Sequence, residues 1–115
     1  SLLLYAWGGW SFVIYGVFVR AVLVWHATWF VNSATHTWGY QTFESDDNAR
    51  NLWWVSLMTY GEGWHNNHHS YPSSAQTGWK WWEIDVTWYT ILLFEKFGWI
   101  TKVRRMPKVC HKERR

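Results

Sequence analysis

The chain has 115 residues, 13 of them tryptophan, with 22% aromatic and only 17% charged residues. This composition excludes a disordered chain, which is poor in aromatics and rich in charge. The single cysteine, Cys110, excludes an internal disulfide framework or a cysteine-ligated zinc finger, and the length holds one small domain at most.

Mean hydropathy is −0.28, a value typical of soluble proteins, but such scales count Trp and His as polar. Trp is amphipathic and prefers the membrane–water boundary, so the distribution along the chain matters more than the mean. Residues 2–19, LLLYAWGGWSFVIYGVFV, carry no charge, and eighteen uncharged apolar-rich residues meet the usual transmembrane criterion. Leu2 to Val31 as one helix would measure about 45 Å, more than the ~30 Å of bilayer hydrocarbon. Gly8-Gly9 offers a break. The pattern predicts the end of one helix over 2–8 and a second over roughly 10–36, running out of the bilayer. A buried core helix of a soluble protein would usually be shorter. Ser1 is not a start methionine and no basic stretch precedes the apolar run, so the chain reads as a fragment of a longer protein and not as a signal peptide.

Residues 41–85 are too polar for the bilayer yet rich in Trp, which places them in water against the membrane face. Ser45-Asp46-Asp47 is an N-cap cluster, predicting a helix from Asn48 with the body ARNLWWVSLMTY and an end at Gly61 and Gly63. HNNHH follows, then the turn-rich SYPSSAQTG. Further on, VTWYTILLF is too short to span. Flanked by Trp81, Trp82 and Trp99 and ended by Gly98, it suits an interfacial helix. The tail then turns basic. Residues 96–115 hold eight Lys/Arg and one Glu, whereas residues 1–95 hold three Lys/Arg and seven acids. A basic tail beside a membrane segment reads as cytoplasmic. A nucleic-acid arm would be the alternative, but no RNA- or DNA-binding pattern accompanies it, so no nucleic-acid partner is expected.

Three of the six histidines crowd into HNNHH. On a helix, His65, His68 and His69 stand at i, i+3 and i+4 on one face. Three imidazoles there repel one another when protonated, and a metal holds them neutral. A polar surface cluster is the plainer alternative. Upstream, Asn32 and His36 are a further i, i+4 pair at the end of the membrane helix, where they either solvate that end or face the histidine cluster. Four histidines can make a tetrahedral zinc site unaided, and imidazole also suits iron and copper. Spacing does not choose among them. A thiolate site is excluded, because Cys110 has no partner cysteine. His26 reads as an ordinary helix-face residue and His111 as solvated tail.

NSATH at 32–36 and GEGWHNNHH at 61–69 resemble the membrane fatty acyl desaturases, the stearoyl-CoA and acyl-lipid delta-9 group. ATWFVNSATH at 27–36, HTWGYQTFESDDNARNLWWVSL at 36–57 and WWEIDVTW at 81–88 extend the resemblance over nearly the whole chain, most weakly after Lys102. The resemblance implies an all-α fold of four membrane-spanning helices with a cytosolic helical cap that holds two iron ions. It implies that His65, His68, His69 and His36 are iron ligands and that Asn32 holds an iron through water. Arg20, Thr28 and Trp29 match positions along the acyl-substrate tunnel or at its head-group end. The family's two other histidine boxes, HxxxxH and a further HxxHH, are missing from this sequence. The expectation is therefore the C-terminal part of one desaturase domain, inactive alone: 1–36 membrane helices, 37–85 cap segment with the histidine box, 86–101 interfacial helix, 102–115 basic tail.

The implied enzyme inserts a cis double bond using dioxygen and two electrons from ferredoxin or cytochrome b5. Its substrate would be an acyl-CoA or acyl-lipid reached from the membrane lipid. Histidine ligands stay neutral and leave the irons as the local positive charge. Partners must fix each ring, and Glu62 and Asn66, flanking the box, are the candidates. Arg20 is uncharacteristic of a membrane segment; it either binds an acyl head group or snorkels to the surface. A related di-iron hydroxylase and a non-catalytic His-rich zinc or copper module are the alternatives.

Overall fold

The structure is a computed structural model that describes residues 1–107. The sequence-based expectations for Cys110, His111 and most of the basic tail lie outside the described residues. The chain divides into two compact units, Ser1–Phe30 and Val31–Arg115. Regular structure among the described residues is helical, with two isolated antiparallel bridges, Tyr40 with Asn51 and Asn51 with Trp64. The expected all-α class holds.

The first unit begins with α1 (Leu2–Val13), which is broken where the glycines predict. Gly8 has φ −150° and Gly9 has φ 64°, both outside the helical region. The Leu4 side chain lies against Gly16, close to where a Cβ on Gly16 would stand. A straight helix would separate these residues by about 18 Å, so the chain folds back at the glycine pair. A π-helical stretch, Ile14–Val19, leads into α2 (Arg20–Thr35). The sequence carried no signal for the π-helical hydrogen bonds. From Trp10 to Thr35 the helical run is 26 residues, about 39 Å, which is long and apolar enough to cross a bilayer. Its side chains are largely exposed, with Trp10 at 68% and Trp25 at 66%.

The second unit corrects one expectation. No helix begins at Asn48; α3 spans only Trp53–Met58. Ser45-Asp46-Asp47 makes a local turn in place of a helix cap. The Asp47 carboxylate accepts the Ala49 N–H at 3.0 Å, and the Ser45 hydroxyl donates to the Asp47 carbonyl at 3.0 Å. Short polar side chains offer the backbone this alternative to a helix. The segment that follows is then drawn into tertiary pairing. Asn51 exchanges both backbone hydrogen bonds with Tyr40, at 3.1 and 2.6 Å, and the Leu52 N–H donates to the Gly63 carbonyl at 2.8 Å. Gly63 is required there, because a Cβ would overlap the Ser56 nitrogen and the Leu52 carbonyl. Leu52 and Val55 pack with Val31 and Ala34 into the apolar core of this unit, with Trp54 against it.

α4 (His65–Ser70) carries HNNHH, so His65, His68 and His69 do stand at i, i+3 and i+4 on a helix. α5 (Val86–Lys96) is shorter than the 86–101 segment assigned to it. The Asp85 carboxylate caps it by accepting the Trp88 N–H at 2.8 Å. It ends at Phe97, with Gly98 at φ 73° and the Trp99 N–H returning to the Phe94 carbonyl at 3.0 Å. The start of the basic tail is tied down. Arg105 pairs with Glu95 at 2.6 Å and lies over the Trp88 ring, while Met106 is buried.

Candidate metal centre

The histidine helix is placed by asparagines. α4 has no side-chain cap from its own N-cap residue, Trp64, so its first-turn amides need partners from elsewhere. Asn51, fully buried, supplies one across 15 positions of sequence. Its Oδ1 accepts the N–H groups of Asn66 and Asn67 at 3.0 and 3.3 Å. Its Nδ2 donates to Thr42 Oγ1 at 3.0 Å and Asn67 Oδ1 at 2.7 Å.

The two asparagines of HNNHH continue this polar core. Asn66 Oδ1 accepts the N–H groups of Thr42 and Phe43, both at 2.8 Å, and its Nδ2 donates to the Phe43 carbonyl at 3.1 Å. Asn67 Nδ2 donates to the Thr77 carbonyl and to Glu83 Oε2, both at 2.8 Å. Glu83, 2% exposed, also accepts the Trp79 and Lys80 N–H groups at 2.6 and 3.0 Å and the Tyr40 hydroxyl at 2.6 Å. Burial, helped by this contact with Glu83, pushes the Tyr40 phenol well above its usual value. The buried carboxylate is stable because four donors surround it. Asn66 is therefore committed to the backbone of residues 42 and 43, and Glu62 is exposed on the turn before α4.

With the asparagines turned to the core, the histidines gather together. His36, just beyond the end of α2, brings its ring to 5.3 Å from that of His65 and 5.4 Å from that of His69. His65 and His69 stand 4.4 Å apart by ring centroid, with their Nε2 atoms at 3.0 Å. One ligand nitrogen from each of His36, His65 and His69 falls within 4.8 Å of the others. His68 lies beside this trio, its ring 6.1 Å from that of His65 and 5.8 Å from that of His69. Asn32 sits one helical turn before His36 and accepts the His36 N–H through its carbonyl at 3.1 Å.

Electrostatics fit a metal. Burial, together with the neighbouring imidazoles of His69, His36 and His68, lowers the His65 pKa to about 4. His65 is neutral at physiological pH, as a metal ligand must be. Its Nδ1 is buried and has no hydrogen-bond partner, an arrangement that native interiors rarely tolerate without a function. An all-imidazole donor set suits iron, zinc or copper and not magnesium or calcium.

Sequence reasoning missed Asp47 at this site. Its Oδ2 lies 2.5 Å from His69 Nδ1 across 22 positions of sequence. Desolvation raises the Asp47 pKa, but the Ala49 N–H and His69 outweigh it, so the net shift is downward. Asn51 and Glu83 were missed as well. Their sole sequence trace is polarity within Trp-rich stretches. The residues matched to the acyl tunnel belong to the first unit. Arg20 Nε donates to the Gly16 carbonyl at 3.1 Å, the Thr28 hydroxyl to the Val24 carbonyl at 3.0 Å, and exposed Trp29 stacks on Trp25.

A family model described as fatty acid desaturase matches residues 1–101. The chain belongs to the fatty acid desaturase family. This desaturase chain is 65% identical over 107 residues to the sn-2 palmitoyl-lipid 9-desaturase of Nostoc sp. (strain 36), an alignment covering 93% of this chain and 38% of that protein. It is 56% identical over 110 residues to the sn-1 stearoyl-lipid 9-desaturase of Synechocystis sp. (strain ATCC 27184 / PCC 6803 / Kazusa), covering 96% of this chain and 35% of that protein. It is also 45% identical over 114 residues to the chloroplastic palmitoyl-monogalactosyldiacylglycerol delta-7 desaturase of Arabidopsis thaliana, covering 99% of this chain and 30% of that protein. The desaturase chain thus spans about a third of the length of these relatives.

Proposed function

We propose that this chain is the metal-bearing section of a membrane acyl-lipid desaturase that introduces a cis double bond into a fatty acyl chain. The observation that carries this is the convergence of His36, His65 and His69 within 4.8 Å in a chain of the fatty acid desaturase family. The substrate class rests on the relatives' names, which are lipid desaturases acting on palmitoyl and stearoyl chains. Two irons would be held by His36, His65, His68 and His69, by Asn32 through water, and by ligands from the part of the protein that this chain does not span. Iron with dioxygen supplies the oxidising power that an unactivated methylene demands and that no side chain possesses.

The chain's own residues supply the setting. His65 offers a neutral nitrogen at physiological pH because burial keeps it unprotonated. The asparagine core on the opposite side of α4 holds the ring-bearing face rigid, which a metal site requires. Thr28 and Trp29 would line an apolar tunnel for the acyl chain, with Arg20 at its head-group end. The metal-bearing cap and basic tail would lie on the cytoplasmic side, where ferredoxin or cytochrome b5 would deliver the electrons.

The test uses the full-length protein that carries this segment. Metal analysis should find about two irons per chain, and product analysis a double bond in a lipid-bound acyl chain. One zinc per chain would make the protein a metal-binding module instead, and an added oxygen in the product would make it a hydroxylase. Arg20→Ala should weaken substrate use and leave bound iron unchanged; loss of iron in that variant would remove Arg20 from the substrate role.

A further inference from the structure

Asp47 occupies a position that neither the histidine pattern nor the relatives' names assign. It stands in the turn between α2 and α3, and both of its carboxylate oxygens are engaged. Oδ1 accepts the Ala49 N–H at 3.0 Å, and Oδ2 meets His69 Nδ1 at 2.5 Å. The first contact fixes the carboxylate in its own turn. The second fixes the imidazole.

We infer that Asp47 is a positioning residue for the metal centre, holding His69 in the tautomer and orientation that present Nε2 to the metal. This rests on the reading of His69 as a ligand. An ionised carboxylate only accepts hydrogen bonds, so His69 Nδ1 must carry the proton. A neutral imidazole has one N–H, so Nε2 keeps its lone pair. That Nε2 is the atom 3.0 Å from His65 Nε2, on the side where the His36 ring also approaches. A carboxylate behind a ligating histidine orients the ring and makes its other nitrogen more basic. Asp47 has this relation to His69 alone. His65 has no such partner, since its Nδ1 is unpaired. The trio is therefore asymmetric, with one ring oriented by a carboxylate and one held by burial.

Asp47→Asn separates positioning from a structural role. An asparagine has one acceptor oxygen where aspartate has two. If that oxygen keeps the Ala49 cap, the side-chain NH₂ faces His69 Nδ1. The imidazole must then accept at Nδ1 and carry its proton on Nε2, where it blocks the metal. The turn survives and the tautomer is reversed.

Metal-free full-length protein should be titrated with Fe(II) as wild type, Asp47→Asn and His69→Ala, with thermal unfolding of each metal-free form recorded. His69→Ala should lose one iron. Asp47→Asn should bind iron roughly 10- to 100-fold more weakly while its metal-free form unfolds with wild type. Wild-type iron affinity in Asp47→Asn, with His69→Ala still defective, overturns the inference and leaves the ligand assignment standing. Weak binding accompanied by early unfolding of the metal-free Asp47→Asn protein assigns Asp47 to the turn and overturns it too. Full iron binding by His69→Ala removes the ligand assignment, and the inference with it.

Discussion

Asn51 shows how much a single amide can decide. Its side chain satisfies two free N–H groups of the histidine helix, one threonine hydroxyl and one asparagine oxygen, all in the buried core. Asn51→Leu keeps the branching and the number of heavy atoms but strands all four. Each unsatisfied buried group costs about 1–3 kcal/mol, so the variant should lose about 3 kcal/mol or more of stability in chemical denaturation. Bound iron should fall in parallel, and an Asn51→Leu protein with wild-type iron and midpoint would remove Asn51 from this role. His65 sets a pH dependence in the metal-free full-length protein. Unfolded histidine takes its proton near pH 6.5, but buried His65 waits until about 4. Between these values the unfolded state binds the extra proton, so stability is present above about 6.5 and declines as pH falls toward 4. Denaturation midpoints should be lower at about pH 5 than at about pH 7.5, and His65→Gln should flatten that slope. An unchanged slope in His65→Gln would assign the effect to other groups.

At the scale of elements, short helices are held by what lies between them. α3 and α4 have six residues each, well below the length at which an isolated helix is stable in water. They persist because Leu52, Gly63 and Asn51 join their flanking segments, and because Glu83 and Asp85 gather the N–H groups of residues 77–80 and 88. Gly63 is the tightest of these joints. Gly63→Ala would drive a Cβ into backbone atoms of Leu52 and Ser56, which no rotamer change relieves. A cost of about 1–3 kcal/mol or more follows, visible as a lower thermal midpoint together with reduced iron retention. A Gly63→Ala protein that melts with wild type would show that the backbone there gives way. Glycine at this joint was legible in the sequence as a helix stop. Its packing role was not, because close backbone approach between distant segments leaves no local pattern.

For the whole molecule, the division of labour follows the solvent. The first unit leaves Trp, Leu and Phe exposed along a helical span of membrane length. The second buries a network of Asn, Glu and Asp behind a histidine face. The chain spans little more than a third of the length of the Nostoc and Synechocystis relatives, and the proposed two-iron site would draw further ligands from outside it. The isolated 115-residue chain supplied with iron, dioxygen and reductant should form no double bond in an acyl lipid, as product analysis would show. Turnover by that chain would contradict the reading of the site as incomplete.

By itself the sequence determined the apolar membrane-length stretch, the break at Gly8-Gly9, and the family, from which the all-α class followed. These rest on uncharged length, glycine freedom and a dense motif, whereas the helix over HNNHH was a condition that the structure met. The tertiary structure decided what those patterns left open. It turned Ser45-Asp46-Asp47 from a helix cap into a turn, because backbone pairing of Asn51 with Tyr40 competes with helix formation. It committed Asn66 to the backbone of residues 42 and 43 and brought Asp47 to His69. Such partners are 22 to 24 positions apart, and what joins them is the desolvation cost of leaving a buried polar group unpaired, which is settled only when the chain closes on itself.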